Sequence, residues 1–184
     1  MKIIRRSEFK SVPWKNRGGI THEIARQDGR QNLLWRISIA EVSQDGPFSQ
    51  FVGLSRSLTV IAGTGMDLID AAGNLAHTAL PLQPITFSGD EPLQGALLDG
   101  PCQDFNLIYD ARSMDARVDV LDDSRTGLIS PPKGAMTGLL CIVGSIDCGA
   151  QILECHDFVF LDPNDEPLRL SPTSTALRVI LKQP

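Results

Sequence analysis

The sequence predicts an all-β protein, either a sandwich or a barrel, and three observations carry that prediction. Helical periodicity is nearly absent from the 184 residues. Short runs rich in Val, Ile, Leu and Thr recur along the whole chain, and Gly, Pro, Asp and Asn interrupt them at close intervals. Apolar residues make up 42% of the composition and are spread evenly, enough for a packed core and too many for a disordered chain.

Taken in order, the runs predict strands over residues 21–25, 34–42, 57–61, 66–70, 85–87, 95–98, 102–109, 116–120, 138–143, 158–161, 168–170 and 175–181. Between them, Gln44-Asp45-Gly46-Pro47, Ala72-Gly73-Asn74 and Ser88-Gly89-Asp90-Glu91-Pro92 have the residues that turns require. Residues 113–117 have room for a helical turn. The pattern breaks near 127–134, which predicts a fuller β lobe over residues 1–125 and a smaller one over 126–184. The smaller lobe has too few residues to bury a core alone, so the expectation is one compact unit of two unequal lobes.

Charge and termini narrow the function. A formal net charge of -5, with no basic stretch interleaved with aromatics, argues against nucleic acid and against an anionic membrane surface. No apolar segment approaches the length of a membrane span, and MKIIRRSEFK lacks the apolar run of a signal peptide. The expectation is a cytoplasmic protein. Cys102, Cys141, Cys148 and Cys155 form no C-x-x-C pair, and they read as reduced thiols acting as small apolar residues. The seven-residue spacing of the last three would set them on alternating faces of a strand.

Polar residues inside strands are the most informative feature. Side chains alternate between the faces of a strand. Arg36, Ser38 and Ala40 therefore oppose Trp35, Ile37 and Ile39, while Asp104 and Asn106 oppose Phe105 and Leu107. Thr21 and Glu23 likewise oppose Ile20, His22 and Ile24. Such faces are either solvated sides of half-exposed strands or the wet lining of a ligand cavity. Asp and Asn fit strands poorly, which favours a specific task. Arg36 is a natural bidentate clamp for a carboxylate, with Lys15 adding a second positive charge from a loop. In VPWKNRGG, Gly18 and Gly19 are expected to bend the backbone so that Lys15 and Asn16 reach a cavity mouth beside Trp14.

Metal and hydrolytic chemistry have little support. His22, His77 and His156 show no metal-ligand spacing, so no metal and no cofactor are expected. No G-x-S-x-G occurs, and Ala62-Gly63-Thr64-Gly65 reads as a hairpin turn and not as a phosphate cradle.

The runs WKNRGG-I-T-H-E-I-A, WRISIAEV-x-x-DGPFSQF-x-G-x-x-R, L-T-V-I-A-G-x-G, F-x-GD and GP-x-x-DFNL-I, in that order through roughly residues 12–110, resemble the HutD/Ves family of cupin-like proteins. The resemblance implies an RmlC-like, bicupin-type double-stranded β-barrel with a reduced second β lobe. It carries over Trp14, Lys15, Asn16, Thr21 and Glu23 from the first motif, and Arg36 and Ser38 from the second. Phe51, Gly53 and Arg56 follow from the third, and Asp104 and Asn106 from the last. Ordinary cupins carry metal histidines around the third motif; here Ser49, Phe51 and Arg56 stand there. Two residues depart from the family's habit. Arg17 replaces a small residue, and either extends the cavity mouth or faces solvent, where Arg is usually found. Val52 stands where Pro is frequent.

The resemblance further implies a small-molecule binding protein that modulates histidine utilisation by holding a pathway intermediate such as formiminoglutamate or formylglutamate. The expected partner is a small carboxylate metabolite, with a homodimer as a family analogy. Two other readings stay open. One is a metal-free cupin enzyme, an isomerase or hydrolase of a similar small acid, with Glu23 or Asp104 as base. The other is an interaction protein whose polar strands are exposed.

Overall fold

The computed structural model describes residues 1–29, 32–122 and 128–183. The chain is built of strands, with one 3₁₀ turn at Arg6–Glu8 and no α-helix among the described residues. In chain order the first strands are β1 (Lys2–Ile4), β2 (Lys10–Pro13), β3 (Gly19–Asp28), β4 (Leu33–Val42), β5 (Gly46–Pro47) and β6 (Ser55–Ala62). Next come β7 (Met66–Ile69), β8 (Leu75–Ala79), β9 (Ile85–Ser88), β10 (Gln94–Leu97), β11 (Cys102–Tyr109) and β12 (Asp115–Asp122). The last are β13 (Met136–Val143), β14 (Ile146–Asp147), β15 (Ile152–Leu153), β16 (Phe158–Leu161), β17 (Arg169–Leu170) and β18 (Thr175–Lys182).

Every expected strand is present within a few residues of its expected ends. The helical turn expected over 113–117 is absent: Asp115–Arg117 open β12, which pairs along its length with β18. Here ladder hydrogen bonds override a weak local preference.

The chain divides into two compact units, Lys10–Arg112 and Met1–Phe9 with Ser113–Pro184. The division differs from the lobes expected over 1–125 and 126–184, whose boundary itself lies outside the described residues. β12 belongs with the C-terminal strands through β18, and β1 joins them by pairing with β16. These are long-range pairings, which no local pattern reveals.

In the unit of residues 10–112, a six-stranded sheet runs β2-β3-β4-β11-β6-β9 and a four-stranded sheet runs β5-β10-β7-β8. Ala40, Leu58 and Val60 from the larger sheet and Met66, Leu68 and Ala79 from the smaller share one buried cluster, so the two sheets face each other. Phe48 and Trp14 pack against its edge. On the other face of the larger sheet, Ile37, Phe105 and Leu107 are fully buried.

The unit containing both termini repeats the plan on a smaller scale. Its sheets run β1-β16-β13-β18-β12 and β15-β14-β17. Leu139, Cys141 and Val159 of the first meet Ile146, Leu153 and Leu170 of the second. Cys141 lies in β13 while Cys148 and Cys155 lie outside any strand, so the three thiols do not share one strand, contrary to the expectation from their spacing. Cys155 is exposed, unlike the buried Cys102, Cys141 and Cys148. Burial pushes the Cys102 and Cys141 thiols up to about 12, which keeps them protonated and inert.

Candidate functional site

The polar strand positions converge. In the register of the large sheet, Glu23 lies opposite Ser38, and Ser38 opposite Asn106. Thr21 lies opposite Ala40 and Ala40 opposite Asp104, while Arg36 pairs with Ile108 and Ile108 with Arg56. All of these side chains share one sheet face by the period of two. That face turns toward the smaller sheet, and a cavity of about 100 Å³ opens there, room for several waters or a small organic acid. β-bulges between Gln103 and Asp104 and between Glu23 and Ala25 break the ladder beside two of these residues. Bulges of this kind re-aim side chains next to sites.

Eight of the expected site residues line the cavity: Trp14, Thr21, Arg36, Ser38, Phe51, Arg56, Asp104 and Asn106. Glu23 does not line it but pairs with a residue that does, its Oε2 lying 3.0 Å from Arg36 Nε. That N–H does not align as a hydrogen bond, so Arg36 Nε is buried without an acceptor. Arg36 is nevertheless about a fifth exposed through the rest of its side chain.

Arg56 is held quite differently. Its guanidinium is packed by Phe48, Phe51 and Phe87, with ring centroids at 5.0, 5.4 and 5.2 Å. Nη2 donates to Asn106 Oδ1 at 2.7 Å and Nη1 to the Ser49 carbonyl at 3.2 Å. Cation–π contacts of this desolvated kind contribute on the order of 2 kcal/mol each at most. Burial lowers its pKa to about 10, partly offset by the charge of Asp104. Arg56 lines the cavity as the resemblance implied, but most of its guanidinium is committed to partners within the protein, as an internal strut.

Asn106 passes the arrangement on. Its Nδ2 donates to Asp104 Oδ1, while Asp104 Oδ2 is buried with no partner among the described residues. Asp104 is 1% exposed, and burial pushes its carboxyl up to about 7 against the opposing pull of Arg56 and Asn106. Loss of hydration on burial disfavours a carboxylate more than one indirectly coupled cation favours it.

The VPWKNRGG segment is a hairpin loop joining β2 to β3, closed by the Trp14 N–H donating to the Gly19 carbonyl at 2.9 Å. Trp14 Nε1 donates to Thr21 Oγ1 at 2.8 Å, which fixes the indole at the cavity edge. Lys15 and Asn16 are exposed and do not line the cavity. Asn16 Oδ1 instead accepts the Gly18 N–H at 3.0 Å, a local turn contact. Arg17 is exposed and takes the left-handed backbone, with φ of 61°. Gly19 serves close approach and not bending: a Cβ there would lie 2.3 Å from the Glu41 carbonyl and 3.1 Å from the Trp14 ring.

Sequence reasoning missed Pro47, Phe48, Ser49 and Ile108 among the lining residues. Ile108 was findable, since it continues the parity of Asp104 and Asn106. Pro47 ends the two-residue β5 and Phe48 and Ser49 lie on the loop after it, and no periodicity places so short a strand or a loop against a sheet. A further row was missed on other faces of the same strands. Ser11 Oγ lies 2.7 Å from His22 Nδ1, and His22 Nε2 lies 3.0 Å from Glu41 Oε1. These three residues do not line the cavity. Among the described residues, no group of three His, Cys, Asp or Glu is placed to hold a metal ion, and no helix is long and apolar enough to cross a membrane.

Known proteins share both the sequence and the architecture. A 21.2 kDa protein in the hutC 3′ region of Pseudomonas putida is 33% identical over 174 residues, spanning 92% of this chain and 91% of its own. The structure of HutD from Pseudomonas fluorescens SBW25, in a formate condition, superposes with a TM-score of 0.80 at 32% identity, covering 100% of this chain and 98% of that one. The bacterial pirin YhhW from Escherichia coli, in complex with nickel(II), gives a TM-score of 0.68 at 8% identity, covering 100% of this chain and 99% of its own. At that identity the likeness is one of fold alone, all-β and cupin-like. The HutD family profile matches residues 6–178, and with relatives at this identity over nearly the full length, the chain belongs to the HutD family.

Proposed function

We propose that this HutD-family protein binds a small carboxylate metabolite in the cavity between the two sheets of its larger unit. On this reading it acts in histidine utilisation by holding an intermediate such as formiminoglutamate or formylglutamate. The observation that carries the reading is the contrast between two arginines lining one cavity. Arg56 is spent on Asn106, Ser49 and three phenylalanine rings, whereas Arg36 is about a fifth exposed, lies 3.0 Å from Glu23 and donates no hydrogen bond from its Nε. A carboxylate on Arg36 would gain charge-assisted hydrogen bonds in a partly desolvated place. Trp14 and Phe51 supply apolar walls, and Thr21 and Ser38 supply hydroxyls.

The wider reading is a bicupin, each unit being a larger sheet facing a smaller one, with a cytoplasmic location and a homodimer as companion proposals. Titration calorimetry with formate, N-formyl-L-glutamate and N-formimino-L-glutamate tests the binding role. Heat that is lost on Arg36→Ala supports it, and no heat from folded protein with any of the three overturns it.

One observation favours a second reading, a metal-free enzyme acting on such an acid. Asp104 is a buried carboxyl poised near neutrality in a cavity beside a cation, the environment of a general acid or base. NMR of the same compounds at high protein concentration separates the readings. A changing substrate spectrum, abolished by Asp104→Asn, favours the enzyme.

A further inference from the structure

The protonation state of Asp104 determines what the cavity floor can recognise. Oδ1 of this carboxyl already accepts a hydrogen bond from Asn106, and Asn106 in turn accepts one from Arg56. The amide thus stands between the guanidinium and the carboxyl, so that Arg56 acts on Asp104 at one remove. Oδ2 is buried and unpartnered. Flanking it in register are Ala40 and Val60, both apolar. The charged and titratable groups around it are Arg56 on β6, Arg36 on β4 with Glu23 on β3, and Cys102 on β11. Burial outweighs these cations and raises the carboxyl to about 7. A neutral carboxyl has one O–H to give, and an acceptor for it must come from within the cavity.

We propose that Asp104 meets its ligand as a neutral carboxylic acid, its Oδ2–H donated to an acceptor oxygen of a small acid whose carboxylate lies on Arg36. Capture then takes up a proton from solution onto Asp104. The cavity selects acids bearing a second acceptor oxygen, such as an N-acyl group, over acids bearing a cationic nitrogen. An amidinium would instead require the ionised carboxylate and would bind with the opposite pH dependence. This inference rests on the binding reading above and names the ligand chemistry of that site.

The test compares N-formyl-L-glutamate, whose formyl oxygen accepts, with N-formimino-L-glutamate, whose amidinium donates. Calorimetry is run at about pH 6 and about pH 8, in two buffers of different ionisation enthalpy. One coupled proton predicts roughly tenfold tighter binding of the formyl compound at the lower pH, with buffer-dependent heat. Asp104→Asn removes that dependence. Equal affinity at both pH values with no buffer-dependent heat, or a pH dependence that survives Asp104→Asn, overturns the inference and leaves the binding reading standing. If neither compound gives heat with folded protein, the binding reading fails instead. The inference is then judged on ligand-free protein by carbon-13 NMR of the Asp104 carboxyl. Titration in the ordinary carboxylate range overturns it, as it would for a protein in which Asp104→Asn does not fold.

Discussion

Each unit buries an aspartate, and the two are treated in opposite ways. In the unit holding both termini, Asp157 is 7% exposed and surrounded by donors. The Arg6 N–H reaches Oδ1 at 2.9 Å, and Arg5 Nη1 and the Glu154 N–H reach Oδ2 at 2.7 and 3.1 Å. Burial works against its charge, but these donors prevail and hold its carboxyl below the ordinary value. In the other unit, Asp104 has one amide donor and an orphaned oxygen, and its carboxyl is raised. A satisfied buried carboxylate is a fastening, here of the N-terminal segment to the loop before β16. An under-satisfied one, placed in a cavity, is available for a ligand. The cores agree with this division. Between the sheets of the first unit the cluster is aliphatic with two thiols, whereas the corresponding space in the second admits Arg56, Asn106 and Asp104.

Removing the strut should break this contrast most severely. Arg56→Ala leaves Asn106 and Asp104 without their buried cation and is expected to cost about 3–5 kcal/mol, read from urea denaturation. Asp157→Ala deletes the donors' shared acceptor and should cost on the order of 3 kcal/mol, since hydrogen bonds to a charged group are each worth about 1.5–3 kcal/mol. An unchanged midpoint for Asp157→Ala would show that the fastening is incidental.

The pH dependence separates the two carboxyls by sign. The contribution of Asp157 is present above the unfolded carboxylate range and is lost as pH falls through its lowered folded pKa. That of Asp104 is present in full below the unfolded range and is lost as pH rises toward about 7. Asp157→Asn should therefore reduce the loss of stability on the acid side. Asp104→Asn should flatten the fall between about pH 4 and 7. Denaturation from about pH 7 down to below the ordinary carboxylate range checks both, and parallel curves for the two variants would contradict the contrast.

Smaller effects sharpen it. Arg36→Ala should weaken carboxylate binding tenfold or more, about 1.4 kcal/mol, while changing stability little, because the side chain is already partly exposed. Lys15→Ala should stay within about 0.5 kcal/mol in stability and leave the calorimetric affinity unchanged, since Lys15 stands outside the cavity.

Much of this was legible in the sequence. The period of two placed Arg36 with Ser38 and Asp104 with Asn106, and their poor fit to ordinary strands marked them as purposeful. β2 and β8 were not legible, because KSVP and LAHTA carry too few β-formers to stand out. Lys15 and Asn16 were misplaced for a different reason: a loop's polar residues look alike whether they face a cavity or water. The glycines beside them were recognised as special, yet their purpose, the approach of Trp14 and Glu41 to Gly19, depends on residues brought in by neighbouring strands.

The sequence by itself determined the all-β class and the longer strands, the polar face of the large sheet and the residue types available to hold an acid. Only the tertiary structure decided which of those residues remain available. Arg36 and Arg56 are chemically equivalent as letters and share the lining of one cavity. Their difference arises because Phe48, Ser49, Phe87 and Asn106, brought together from separate parts of the chain, close around one guanidinium, while the other meets Glu23 and stays about a fifth exposed. Availability is set by the remaining partners in space, and those partners are chosen by folding.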